Sequence, residues 1–196
     1  PGSTNIITPV AGSWVESVPL IILSGQVKTS DIKTKNLSKL GPQEINTIDL
    51  INKITKFSIT LKKKTNIQNI LDKAYNSAIS GRKGPVWIDI PLDIQKKKIP
   101  KIKLIKLKKI YKKKNHSSKI NKIKKFLSES KRPLLIIGNG ARIKENDIVL
   151  NFINKLNIPT LTTYNTIDML HQKHKLNYGS PGVFAKRYSN LILQNC

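Results

Sequence analysis

The sequence has few of the residues that mark disulfide-bonded, membrane-spanning or metal-binding proteins. Its single cysteine, Cys196, excludes an internal disulfide framework and a multi-cysteine metal site. No apolar run approaches the length needed to cross a bilayer, and residues 1–20 lack the basic and apolar segments of a secretory signal. These absences predict a soluble cytoplasmic protein with no membrane partner.

Acidic residues are also scarce, with 11 Asp and Glu against 36 Lys and Arg and a formal net charge of +25. Such an excess suggests nucleic acid as a partner. From Lys96 to Lys125, however, 15 of 30 residues are lysine, with no aromatic interleaving and no recognition-helix signature. The pattern is typical of a solvated linker and argues against nucleic acid as a partner. A basic nucleic-acid-binding remnant stays as an alternative hypothesis.

Helical and strand patterns alternate along the rest of the chain. Apolar runs such as Leu20–Leu23 predict strands buried on both faces of a parallel sheet. The alternation predicts an α/β fold with two incomplete units of parallel sheet flanked by helices, at 1–95 and 117–196, joined by a lysine-rich linker at 96–116. The predicted elements are a helix through Val10–Val15, strand Leu20–Leu23, helix Gln43–Ile51, strand Lys53–Leu61, a helix capped by Asn66 and ending at Gly81, strand Val86–Pro91, a helix from Ser117 or Ser118, strand Leu134–Ile137, helix Ile148–Leu156, strand Thr160–Thr163 and helix Tyr188–Cys196.

Residues that could carry chemistry are sparse. No Ser/His/Asp set, carboxylate pair or metal-ligand cluster stands out, and the spacing of His171 and His174 lacks a third ligand. The turn Gly138–Ala141 follows an apolar strand, where open α/β sheets bind ligands. It lacks the full spacing of a dinucleotide fingerprint, so a simple strand-to-helix turn explains it equally well.

Seven short segments carry more information together and in order than any one of them does alone. They are Pro1–Asn5, Trp14–Val27, Leu40–Glu44, Ser80–Gln95, Lys131–Ala141, Ile158–Leu170 and Gly179–Gln194. In this order they resemble the thiamine-diphosphate enzymes, most closely the acetolactate synthase large-subunit group. Pro1–Asn5 is similar to that family's Gly-Pro-Gly-Ala-Thr-Asn motif without its first glycine. Leu40–Glu44 is similar to its Phe-Gln-Glu site, with Pro42 in place of the aromatic residue.

The resemblance implies a fold, cofactors and a reaction. The fold would be the end of a thiamine-diphosphate-binding pyrimidine domain, followed by the start of a Rossmann-like central domain. The cofactors would be thiamine diphosphate and Mg²⁺, whose ligands and activating glutamate lie outside these residues, with FAD possible in the central domain. The full-length enzyme would decarboxylate a 2-oxo acid such as pyruvate and ligate the product to a second one, as a homodimer or tetramer. Another thiamine-diphosphate lyase or decarboxylase is the alternative. The chain itself would be an internal, inactive fragment.

The resemblance also implies site residues. Gln43 would be catalytic, facing the substrate and the thiazolium ring, and the structural alternative is that it only starts a helix. Asn5 has the alternative role of capping a helix near Thr8, and Pro1 that of shaping its loop. The implied cofactor-binding residues are Pro1 and Asn5 at the pyrimidine and Gly138, Gly140, Thr162 and Thr163 in the central domain, with no metal ligand.

Four departures from the family pattern bear on the substrate and on FAD. Leu92 stands where acetolactate synthases commonly have lysine, and Pro42 stands in place of the active-site Phe. In the central domain, Phe184 and Ala185 replace the usual His-Gly, and Asn139 replaces a small residue in the glycine turn. The resemblance therefore leaves the choice of 2-oxo acid and the presence of FAD open.

Overall fold

In the computed structural model of the chain, residues 1–32, 39–98, 116–142 and 146–196 are described. They belong to two compact units, Pro1–Tyr111 and Lys112–Cys196, called unit 1 and unit 2. Each unit combines parallel strands with helices, which confirms the α/β class. Residues 99–115, most of the predicted linker, lie outside the described residues. Within the described ranges, no helix is long and apolar enough to cross a membrane.

Unit 1 is built on three parallel strands, and the last of them along the chain lies between the other two. Because the strands are parallel, their carboxyl ends lie at one edge of the sheet, which is where such sheets bind ligands. The elements are a 3-10 turn at Gly2–Ile6, α1 (Ile7–Val15), β1 (Leu20–Gln26), α2 (Thr47–Ile51), β2 (Phe57–Thr60), α3 (Ile67–Ile79), β3 (Pro85–Pro91) and α4 (Leu92–Gln95).

The central strand β3 contributes to two cores because successive side chains point to opposite faces. Val86 and Ile88 pack with Ala74 and Ala78 of α3. Trp87 points to the other face, where it packs with α1 and α2 residues and is fully buried. The prediction of a strand buried on both faces is confirmed for β3.

The same prediction is wrong for β1. Ile22 is buried, but Ile21 and Leu23 on the opposite face are 42% and 59% exposed. In the described sheet β1 is an outer strand, and the core beneath α3 contains no β1 residue. An apolar run therefore identifies the strand but does not show that both of its faces are covered.

Two boundaries in unit 1 also differ from prediction. The helix expected at Gln43–Ile51 begins only at Thr47, where the Asn46 side chain accepts a hydrogen bond from the Asp49 N–H. The strand expected at Lys53–Leu61 spans Phe57–Thr60. The helix predicted from Asn66 is confirmed: the Asn66 side chain accepts from the Asn69 N–H at 3.1 Å.

Unit 2 contains the helices and strands that its sequence pattern predicts. They are α5 (Ser117–Glu129), β4 (Leu135–Ile137), a 3-10 turn at Asn139–Ala141, α6 (Asn146–Leu156), β5 (Thr160–Thr162), a 3-10 turn at Tyr164–Met169 and α7 (Arg187–Gln194). Strands β4 and β5 are parallel, with Ile137 opposite Thr162. Ile137, Ile153, Leu170 and Leu176 form the core.

Candidate functional site

A cavity of about 710 Å³ opens at the carboxyl edge of the unit 1 sheet. This volume lies within the range of small-molecule sites, on the order of 300–1,000 Å³. The wall combines hydroxyl, amide, carboxylate and ammonium groups with apolar side chains. It is formed by Gln26, Thr29, Ser30, Ile32, Glu44, Ile45, Asn46, Thr60, Leu61, Lys62 and Lys63.

The predicted catalytic residue, Gln43, lies in an exposed turn beside this cavity wall. We call residues 39–46 the Gln43 loop. The Gly41 carbonyl accepts a hydrogen bond from the Glu44 N–H at 3.4 Å, and Gln43 has φ of +59°. Proline followed by a residue with positive φ is the pattern of a type II turn, in which glycine usually takes the place of Gln43. A glutamine held there costs on the order of 1 kcal/mol, which indicates that its surroundings enforce the position.

Two features of the Gln43 loop enforce that turn. The Glu44 carboxylate accepts hydrogen bonds from the backbone N–H groups of Leu40 and Gly41. Gly41 is buried, and a Cβ atom placed on it would lie 3.2 Å from side-chain carbons of both Val27 and Asp31. The loop is thus closed on itself and packed tightly against the segment that follows β1.

Behind the loop, β1 and β3 bury a polar cluster. The Asp89 carboxylate is 1% exposed. One of its oxygens accepts hydrogen bonds from the Ser24 hydroxyl and from Trp87 Nε1, the latter at 3.0 Å. The other oxygen accepts from Gln26 Nε2 at 3.4 Å. The same nitrogen donates to the Ile45 carbonyl in the Gln43 loop at 2.9 Å.

The sequence analysis did not identify this polar cluster. Its signal was the presence of polar residues at Ser24 and Asp89 within otherwise apolar strand patterns. A buried carboxylate requires hydrogen-bond partners, so the question of what satisfies Asp89 would have led to the other members.

The segment that carries Pro1 and Asn5 forms the 3-10 turn ahead of α1. The Pro1 carbonyl accepts from the Thr4 N–H at 2.9 Å and from its hydroxyl at 2.6 Å, and the ring is exposed. The residue that caps α1 is Ile6, which makes no side-chain hydrogen bond to the helix. The exposed Asn5 side chain therefore does not cap α1, and within the described residues its amide has no hydrogen-bond partner.

One contact brings this turn close to the Gln43 loop. Ser3 Oγ lies 3.5 Å from Thr47 Oγ1, at the residue where the Gln43 loop becomes α2. The structure thus gathers the segments of Pro1, Asn5 and Gln43 around one part of unit 1. They are far apart in sequence, and spacing alone does not predict their proximity.

The segment after β1 is tied to α4 at the same edge. Asp93 accepts hydrogen bonds from Thr29, from the hydroxyl at 2.6 Å and from the backbone N–H at 2.9 Å. These bonds hold the pKa of the Asp93 carboxyl below its ordinary value. The Lys63 ammonium, 4.0 Å away, contributes least in the same direction.

In unit 2, three of the four predicted cofactor-binding residues meet at the carboxyl edge of β4 and β5. A Cβ on Gly138 would lie 3.8 Å from Thr163 Cγ2. The Thr163 N–H donates to the carbonyl of Ile137 at 2.8 Å, and Ile137 is the register partner of Thr162. Gly140 lies in the adjacent turn, where a Cβ would meet nothing within 4 Å. Open backbone at Gly140 would let a ligand approach.

The space beside these residues is small. Thr162 is buried, with its hydroxyl oxygen 3.3 Å from Ser180 Oγ, and borders a cavity of about 250 Å³. That volume falls below the usual range of small-molecule sites, on the order of 300–1,000 Å³.

An ion pair fixes the end of the turn that follows β4. Arg142 donates to both oxygens of the Asp168 carboxylate, at 3.0 and 2.6 Å, and to the Asn165 carbonyl at 2.9 Å. The pairing lowers the pKa of the Asp168 carboxyl and raises that of the Arg142 guanidinium.

In the part of the chain that the structure describes, no group of three or more His, Cys, Asp or Glu side chains could hold a metal ion. His174 Nε2 lies 3.0 Å from Asn154 Oδ1, and His171 Nδ1 accepts from the Lys173 N–H. Each of these two histidines thus has a local partner.

Comparison with known proteins identifies the family. The family model described as thiamine pyrophosphate enzyme, N-terminal TPP binding domain, matches residues 1–50, and that of the central domain matches residues 120–196. The chain belongs to the thiamine pyrophosphate enzymes. Thiamine pyrophosphate is another name for thiamine diphosphate, so the family resemblance seen in the sequence is confirmed.

Curated relatives match over nearly the whole chain. A probable acetolactate synthase large subunit of Methanococcus aeolicus is 33% identical over 98% of this chain and 33% of its own length. The acetolactate synthase isozyme 1 large subunit of Escherichia coli (strain K12) is 32% identical over 99% of this chain and 34% of its own length. The chain therefore spans about a third of the relatives that it matches.

Proposed function

We propose that this chain is part of a thiamine-diphosphate-dependent, acetolactate-synthase-like enzyme. The enzyme decarboxylates a 2-oxo acid such as pyruvate and ligates the product to a second 2-oxo acid. The observation that carries the proposal is the contact between Ser3 of the Gly2–Ile6 turn and Thr47, the first residue of α2, directly after the Gln43 loop. These are the segments whose motifs match the family, and the named relatives are acetolactate synthases.

The chemistry of the exposed groups fits the aminopyrimidine of the cofactor. The Asn5 amide supplies a hydrogen-bond donor and an acceptor, and the exposed Pro1 ring supplies an apolar surface for a flat ring. When bound, thiamine diphosphate supplies the electron sink that lets a 2-oxo acid lose carbon dioxide. Gln43 would donate an amide N–H to a substrate oxygen, from a backbone position that the type II turn holds fixed.

The wider organisation is proposed on the same resemblance. Residues 1–95 would form the C-terminal part of a pyrimidine-binding domain, and residues 117–196 the N-terminal part of a central domain. Residues 96–116 would be the linker between these two domains. The activating glutamate and the ligands of Mg²⁺ would lie in other parts of a cytoplasmic homodimer or tetramer. Gly138, Gly140, Thr162 and Thr163 would contact FAD in members of this kind, and the open backbone at Gly140 supports that proposal.

The test is product analysis with the complete gene product and pyruvate, with and without thiamine diphosphate. Acetolactate is the expected product, and acetaldehyde alone would instead support the decarboxylase alternative. Gln43→Ala is expected to lower kcat by about a hundredfold, as loss of one positioned donor does. The matched control is Gln95→Ala, because Gln95 is exposed and its side chain donates to the Ile90 carbonyl. Product formation without thiamine diphosphate would refute the proposal.

The 196-residue chain by itself is expected to release no carbon dioxide from pyruvate, because the activating glutamate would lie elsewhere. Release of carbon dioxide by the purified chain would contradict this assignment.

A further inference from the structure

We propose that Gln26 is a positioning residue that fixes the Gln43 loop to the sheet, and that the buried carboxylate of Asp89 holds Gln26 in place. The link from loop position to catalysis rests on the function proposed above. The link from Gln26 to loop position rests on the hydrogen bonds alone, and the two can be tested separately.

The first step is the anchor. Asp89 lies on the central strand and is 1% exposed, and Ser24 and Trp87 donate to one of its oxygens. The second oxygen faces Gln26 Nε2 at 3.4 Å. A carboxylate buried in this way is held firmly, because its hydrogen bonds replace the water that it has lost.

The second step is the Gln26 side chain, whose polar atoms all have partners. Its Oε1 accepts from the Val27 N–H at 3.0 Å. Its Nε2 donates both to Asp89 and to the Ile45 carbonyl, the latter at 2.9 Å. Both amide protons are therefore directed, one into the sheet and one into the Gln43 loop.

The third step compares the Gln26–Ile45 bond with the hydrogen bonds that Glu44 and Asn46 make. Glu44 closes the turn on itself, and Asn46 caps α2. These bonds shape the loop but do not join it to the sheet. The Gln26–Ile45 bond joins a residue of β1 to a loop residue two positions from Gln43. Loss of this bond would let the Gln43 amide shift, and displacement of a reacting group by about 1 Å can cost on the order of a hundredfold in rate.

The first experiment measures loop exchange in the 196-residue chain with Gln26→Met, which keeps the length of the side chain and removes both donors. The amides of Leu40 and Gly41 report on loop closure because both donate to Glu44. Their hydrogen exchange is expected to be about tenfold faster, the effect of one lost hydrogen bond. Gln95→Met removes a glutamine-to-carbonyl bond elsewhere in unit 1 and should leave these amides unchanged. Unchanged exchange in Gln26→Met would overturn the proposal.

The second experiment separates positioning from general stability. Gln26→Glu keeps the acceptor for the Val27 N–H. It replaces the amide that donates to Asp89 and to the Ile45 carbonyl with a second carboxylate, which cannot donate to either. Combining it with Asp89→Asn restores the side-chain pair with reversed polarity, since the new amide donates to the new carboxylate. The melting temperature is expected to fall by roughly 5 °C in Gln26→Glu and to recover in the double variant. Exchange at Leu40 and Gly41 should stay fast in both, because the Ile45 carbonyl keeps only the Thr47 N–H of its own segment and still lacks the donor from β1.

Recovery of slow exchange together with the melting temperature would mean that the cluster only stabilises unit 1, and would overturn the positioning role. In the complete enzyme, Gln26→Met is expected to lower kcat about tenfold with KM nearly unchanged. Normal kcat despite fast loop exchange would also overturn the proposal. A wild-type enzyme without thiamine-diphosphate-dependent activity would instead refute the proposed function and leave the exchange results standing.

Discussion

The carboxyl edges of the two sheets are held by different kinds of contact. In unit 1, Asp89 joins residues from strands far apart in sequence, and Gln26 carries that connection out to a loop. In unit 2, the buried hydroxyl of Thr166 donates to the Ile137 carbonyl at 2.8 Å, within two short strands and their turns. The position of a loop at the first edge thus depends on buried side chains that lie 63 to 65 residues apart in sequence. The second edge is held by side chains whose partners lie 26 to 29 residues away.

The largest expected effect tests whether Trp87 belongs to both the apolar core and the polar cluster. Trp87→Ala should lower the free energy of unfolding of unit 1 by about 4 kcal/mol, since it leaves a cavity and removes a donor from Asp89. Ile153→Ala, which removes a fully buried side chain from the apolar core of unit 2, should cost about 3 kcal/mol there. Urea denaturation, with hydrogen exchange to assign each transition to its unit, measures both.

Trp14 provides the matched control, because it is partly exposed and its ring faces the Arg82 guanidinium at 5.8 Å. Trp14→Ala should lower the free energy of unfolding of unit 1 by less than Trp87→Ala does. If Trp87→Ala proves no more costly than the Trp14 or Ile153 variant, the polar cluster does not contribute as the structure indicates.

An effect of intermediate size compares the glycines of the two edges. A Cβ on Gly41 would lie 3.2 Å from carbons of Val27 and Asp31 and 3.3 Å from the Asp31 carbonyl oxygen. Gly41→Ala should therefore cost about 1–3 kcal/mol of stability and speed hydrogen exchange in the Gln43 loop. Gly138→Ala places its new methyl 3.8 Å from Thr163 Cγ2, an ordinary contact, and should change stability by less than about 0.5 kcal/mol. Equal costs, measured by urea denaturation, would argue against the tighter packing at Gly41.

Local sequence patterns predicted most of the fold. The apolar run of β3 and the Asn66 cap of α3 each depend on neighbours within a few residues, and both are confirmed. The exposure of Leu23 depends on which elements lie over β1, and no pattern within the strand contains that information. The helix expected from Gln43 failed because Ile48 and Ile51 belong to α2, whereas Gln43 is held in a turn by Glu44.

The candidate site was predictable only where its residues stand in a motif. Gln43 and Asn5 were identified from segments that resemble a family, and their roles stay predictions. Gln26 was not identified, because its importance depends on Asp89, 63 residues away, and on a backbone carbonyl. Such pairs form when parallel strands bring distant residues together, and sequence spacing does not reveal them.

The smallest expected effect concerns one carboxylate at each edge, Asp93 in unit 1 and Asp168 in unit 2. Both Asp93 and Asp168 have a lowered pKa, the first through Thr29 hydrogen bonds and the second through Arg142. A lowered pKa in the folded state means that each carboxylate stabilises the fold above its ordinary pKa near 3.8. That stabilisation is lost as the pH falls through the lower, folded-state value. The stability difference between wild type and Asp93→Asn, or Asp168→Asn, should therefore shrink in acid for both residues.

Salt should distinguish the two carboxylates at neutral pH. Arg142 and Asp168 form an exposed ion pair, so roughly 1 M salt should reduce the effect of Asp168→Asn. Asp93 is held mainly by the uncharged donors of Thr29, so the effect of Asp93→Asn should persist in salt. Thermal melts of both variants across pH and salt concentration provide the measurement. Equal salt sensitivity of the two variants' stability effects would mean that the Lys63 ammonium, 4.0 Å from Asp93, stabilises this carboxylate more than Thr29 does. The contrast between a hydrogen-bonded edge and an ion-paired edge would then be wrong.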